Sequence, residues 1–153
     1  MNANLYRLRL EQLQAALTSY APLVAVTPPR RGWLKAIREA LGRSGPQQAK
    51  RLGIAAPTLY KCEQSEADER ITLGQLRKLA EGLECDLVYA LVPRRPLTTV
   101  VSDRAHDLAS LEVKGVAHTM SLEDQRPSNA VIDRQIEQRV AELLNGRWSE
   151  LWR

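Results

Sequence analysis

The sequence contains no phenylalanine, and its only aromatic residues are three tryptophans and four tyrosines among 153 residues. A core without phenylalanine must be built mainly from leucine, isoleucine, valine and alanine, which suits helices. Cysteine is scarce. Cys62 and Cys85 lack metal or redox spacing, so they read as free, buried thiols in a reducing compartment. No apolar run is long enough to cross a bilayer. The start of the chain, MNANLYRLRLEQLQAAL, is amphipathic and charged, unlike a signal peptide. The chain is expected to be cytoplasmic, with no membrane partner. Catalytic patterns are lacking too. There is no phosphate-cradling glycine loop and no paired-carboxylate constellation. His106 and His118 have no cysteine or second histidine beside them at zinc-ligand spacing. Ser102 and Asp103 lie near His106, but no nucleophile-turn signature accompanies them. No enzyme, metal or cofactor is expected.

Positive charge is present and unevenly placed. The formal net charge is +4. From Arg30 to Lys61 the basic residues are Arg30, Arg31, Lys35, Arg38, Arg43, Lys50, Arg51 and Lys61, against the single acid Glu39. Such a concentration leans toward a polyanionic partner.

Hydrophobic periodicity divides the chain. Residues 1–20 carry Leu5, Leu8, Leu13 and Leu17 near helical spacing, an amphipathic helix. Residues 21–32, with three prolines and a glycine, read as an extended linker. Residues 33–83 form a dense block of four short helices. Trp33, Leu34, Ile37 and Leu41 share one face of the first. Pro46 and Gly53 bracket the second. Leu52–Ala67 supplies the third. Thr72 and Gln75 begin the fourth with a capping-box pattern. In residues 84–93 the period changes. Leu87, Tyr89 and Leu91 alternate with Val88 and Val92, which predicts a short strand ended by Pro93. A lone strand needs a partner, and the simplest is the same strand of a second chain, through Leu87, Val88, Tyr89 and Leu91. An extension of the fourth helix, or coil, is the alternative. Residues 94–153 form a C-terminal helical region. One helix is expected from Ser102 or Asp103 to about Gln125, with Leu108, Leu111, Val116 and Met120 inward. Another starts at Ser128 or Asn129, with Ile132, Ile136, Val140, Leu143 and Leu144 on one face.

Within the four-helix block, Gln48-Ala-Lys-Arg-Leu-Gly-Ile54 and the helix after it fit a helix-turn-helix. Small Ala49 allows two helices to cross closely. Gly53 permits a positive φ at the turn. Ile54, Leu59 and Cys62 point to the core. Ala56, Pro57, Thr58, Tyr60, Lys61 and Gln64 are then left where a reading helix meets the major groove. Arg43, Lys50 and Arg51 add positive potential nearby.

The stretch QAKRLGIAAPTLYKCE resembles the Cro/CI-type repressor helix-turn-helix, whose pattern is close to LAxxLGxSxxTxSxxE. GWLKAIREALG, ITLGQLRKLAEGLECDLVYALVP and VAHTMSLEDQ look like the family called mobile mystery protein A, over about Leu5 to Leu144. That resemblance implies a DNA-binding regulator encoded beside a Fic-domain partner, in a toxin–antitoxin-like pair. The chain departs from the repressor pattern in places. Gly45 stands where a glutamine usually meets phosphate, which leaves Ser44 and Gln47 to substitute. Gln48 replaces a buried leucine, Ala55 a capping serine, and Cys62 another apolar residue. Thr119 and Glu123 also match the Ser/Thr-x-x-x-Glu spacing of the helix that inhibits Fic proteins, although Asp124 departs at the final position.

The resulting expectation is a mainly α protein. It has a Cro/CI-repressor-like helix-turn-helix bundle, one short strand with possible intersubunit pairing, and a C-terminal helical extension. Its expected partners are double-stranded DNA, a second copy as a homodimer, and a Fic-domain toxin. Its expected role is an autorepressing antitoxin. The alternative is an antitoxin that inhibits its Fic-domain partner directly through the C-terminal helices.

Overall fold

The computed structural model describes residues 2–123, 125 and 127–153. Its α-helices are α1 (Ala3–Thr18), α2 (Trp33–Ala40), α3 (Gly45–Leu52), α4 (Ala56–Ala67), α5 (Leu73–Glu81), α6 (Leu97–Leu122) and α7 (Asn129–Asn145). Short 3-10 helices follow α1, at Ala21–Ala25, and α7, at Trp148–Trp152. No helix among the described residues is long and apolar enough to cross a membrane.

The expected strand is absent. No strand occurs among the described residues, and residues 85–92 carry no regular structure. The alternation of Leu87, Tyr89 and Leu91 with Val88 and Val92 did not produce a strand. A strand is defined by ladder hydrogen bonds, and no segment among the described residues pairs with this one. Leu87 is half-buried, whereas Val88, Tyr89 and Leu91 are exposed.

The chain forms two compact units, Pro22–Ala90 and the pair of segments Met1–Ala21 with Leu91–Arg153. In the first, Leu34, Ala49, Leu59, Cys62, Leu79 and Leu83 make the core, flanked by Ile37, Leu52, Ile54 and Leu76. The helix boundaries follow local chemistry. Ser44 and Gln47 close a capping box on α3. Gly53 ends α3 with φ 65°. Thr72 accepts a hydrogen bond from the Gln75 amide and opens α5.

In the second unit, α6 and α7 pack together and α1 lies against both. Val101, Ala105, Ala109, Val113 and Ala117 step by four along α6, and Ile132, Ile136 and Val140 do the same along α7. Ridges of this kind interdigitate, and alanine lets the backbones approach. This corrects two expectations. The helix begins at Leu97, five residues before Ser102, and Asp103 pairs with Arg95 instead of capping. Leu111 and Val116 point outward, because the ridge of small residues faces α7. On α1 the packed residues are Ala3, Tyr6 and Leu10, while Leu5, Leu8 and Leu13 are exposed. Tyr6 stacks on Trp148, with ring centroids 5.5 Å apart.

Candidate nucleic-acid interface

The arrangement of α4 decides what the first unit can present. Every third or fourth residue of a helix shares a face. Leu59, Cys62, Glu63 and Glu66 lie on one side of α4. Leu59 and Cys62 enter the core. Glu63 is buried and meets Arg38 of α2, Oε1 to Nε at 2.6 Å and Oε2 to Nη2 at 3.0 Å. The remaining Nη1 of Arg38 donates to the Arg43 carbonyl at 3.0 Å. The hydrogen bond to Glu63 raises the Arg38 pKa above its ordinary value, against the opposing effect of burial. Glu66 does a different job. Its carboxylate accepts from the Trp33 amide at 2.8 Å and the Leu34 amide at 2.9 Å, so a side chain of α4 caps the first turn of α2. Gly32 has φ 85°, and a Cβ there would stand 2.7 Å from Glu66 Oε2. The cap therefore requires glycine at this position.

On its other side α4 meets α3. Ala49 is buried at their crossing, as its size suggested. Ala55 contributes no side-chain cap, yet its carbonyl accepts from the Thr58 and Leu59 amides. Pro57 falls in the first turn, where its missing donor has no intrahelical acceptor to lose.

The outward face is then fixed. Pro57, Thr58, Tyr60, Lys61 and Gln64 are exposed. Lys61 makes no ion pair or hydrogen bond among the described residues, while the Gln64 amide donates to Asp68 at 2.9 Å. Ala56 is half-buried and packs on the core, apart from the reading set. The departure at Gly45 has a structural reason. The Tyr60 ring lies over the start of α3, and a Cβ at Gly45 would collide with it.

The residues expected to help at the start of α3 are partly committed. The Gln47 side chain accepts from the Ser44 amide at 2.8 Å, and Ser44 Oγ accepts from the Gln47 amide at 3.3 Å. Arg43 is half-buried, and its Nη1 donates to Gln48 Oε1 at 3.1 Å and to the Gly82 carbonyl at 3.2 Å. Gln48, only 1% exposed, donates its amide to the same carbonyl at 2.9 Å. The polar residue in a leucine position thus ties α3 to the end of α5, and no buried side-chain nitrogen or oxygen among the described residues is left without a partner.

The pairing of Arg38 with Glu63 and the capping by Glu66 are what sequence reading missed. Two acids on the core side of α4 were the available signal, since buried carboxylates must be paired. In the other unit, the Thr119 hydroxyl donates to the Gly115 carbonyl at 3.2 Å. Glu123 is the exposed C-cap of α6, and Asp124 lies outside the described residues. No family model, no curated protein and no solved structure matches the chain.

Proposed function

We propose that the chain is a sequence-specific DNA-binding regulator that inserts α4 into a major groove and represses transcription, including that of its own operon. The supporting observation is the rigid mounting of α4. Two carboxylates fix it to α2 and a close crossing fixes it to α3. Pro57, Thr58, Tyr60 and Lys61 are left outward on a basic surface. In this reading Thr58 and Pro57 contact base edges, Lys61 contacts guanine or phosphate, and Tyr60 contacts the backbone. Two copies on a palindromic site would read half-sites about 34 Å apart. The role of antitoxin to a Fic-domain partner rests on the family resemblance alone.

Gel shifts with the DNA upstream of its own gene test the proposal. The expected result is a specific, salt-sensitive shift that Lys61→Ala weakens by about 1–3 kcal/mol, or roughly 5- to 150-fold in affinity. No specific shift, or full binding by Lys61→Ala, would overturn it.

A second reading draws on α6. Leu111 is 74% exposed and Leu122 is 77% exposed, apolar side chains turned away from α7. This favours a protein partner for the C-terminal helices, with Thr119 and Glu123 near its edge. Co-purification with a co-expressed Fic-domain protein should be lost on Leu111→Glu, and retention would count against this reading.

A further inference from the structure

We propose that Arg30, Arg31 and Lys35 form a second phosphate-binding surface, which grips the DNA backbone beside the groove entered by α4. The proposal rests on the reading of α4 given above and adds a site to it.

A groove of about 660 Å³ runs along α4, with Tyr60, Gln64 and Asp68 on one wall and Arg30, Arg31 and Lys35 on the other. Its place relative to the reading face follows from helix geometry. At about 100° per residue, Pro57, Lys61 and Gln64 follow the outward line of α4, and Tyr60 lies on one flank of it. The groove opens on that flank. A strand beside α4 would pass the basic wall.

The basic wall is held in place. Pro28 and Pro29 stiffen the approach. The Gly32 amide donates to the Pro29 carbonyl at 2.9 Å, which puts Arg30 and Arg31 at the tip of a turn. Directly after it, Glu66 of α4 clasps the Trp33 and Leu34 amides. The turn carrying the arginines is therefore anchored to the reading helix itself.

The charge is only partly compensated. Arg30 and Arg31 make no ion pair among the described residues, and Lys35 Nζ forms only a long, 4.0 Å pair with an exposed Glu39 carboxylate. Of the acids at the groove, Glu63 is engaged by Arg38, and Asp68, on the opposite wall, keeps its charge while it accepts from Gln64, so the three basic side chains outnumber the one carboxylate without a cationic partner. Guanidinium groups on a fixed turn match the oxygen pairs of a phosphate, and each such contact releases a counterion.

The test is affinity against salt concentration for the full chain, on the duplex upstream of its own gene and on an unrelated duplex of equal length. The double variant Arg30→Gln/Arg31→Gln should weaken binding to both duplexes by a similar factor. It should also make the slope of log affinity against log salt shallower by about two, at about 0.9 per phosphate contact. Arg30→Lys/Arg31→Lys, which keeps the charge, should retain most of the slope. An unchanged slope in the Gln variant, while Lys61→Ala still weakens the specific shift, would overturn this surface alone. So would a loss confined to the specific duplex. Failure of the wild-type chain to bind either duplex would overturn the reading of α4 and this surface together.

Discussion

Arg38 and Glu63 are the two charges of the first unit that lie farthest from water, with side chains 8% and 5% exposed. A buried ion pair contributes little net stability, because desolvation consumes most of the Coulomb gain. Removing one partner is another matter, since it strands the other charge. Arg38→Met should therefore destabilise the fold by about 3–5 kcal/mol, and adding Glu63→Leu should restore most of that loss. Urea denaturation of the single and double variants completes the cycle. If the double variant is as unstable as the single one, the pair is not what costs the energy. The same accounting explains Gln48. It stands in a leucine position, yet both ends of its amide are satisfied, so it carries no unmet polar group into the core.

At the scale of elements, α4 is placed more by its neighbours than by its own start. It opens with Ala55, which offers no cap, and with Pro57. In return it supplies the cap that α2 lacks. Glu66→Ala would leave two first-turn amides of α2 without their acceptor, and the expected cost is about 1–2 kcal/mol. Amide exchange at Trp33 and Leu34 should rise first, and unchanged protection there would refute the cap. The inward set Ile54, Leu59 and Cys62 was legible in the sequence, as were Gly53 at the turn and the Thr72–Gln75 start. These depend on residues close in the chain. The partners of Glu63 and Glu66 lie 25 and 32 or 33 residues away, and no local pattern specifies which cation or amide meets a buried acid. The strand and the inward face of α6 failed for related reasons. Alternation sets a local period without supplying a ladder. Counting leucines hid a ridge of alanines whose value lies in the approach of a second helix.

For the whole molecule, separate apolar cores imply separate points of failure. Leu151 is fully buried in the core built by α6, α7 and the last 3-10 helix, where Arg104 also holds its carbonyl with a 2.5 Å hydrogen bond. Leu151→Ala should cost about 2–5 kcal/mol there. The loss belongs to one core, so hydrogen exchange should accelerate in α1, α6 and α7 while α2 to α5 keep their protection. Loss of protection at the same rate in every helix would instead make the chain a single cooperative unit. The distinction bears on the proposed function, because, in the proposed role of α4, a helix that stays folded when the other unit loosens would leave DNA affinity intact. Leu151→Ala should bind DNA as tightly as the wild type at temperatures where its second unit already exchanges freely, and affinity measured against temperature checks this.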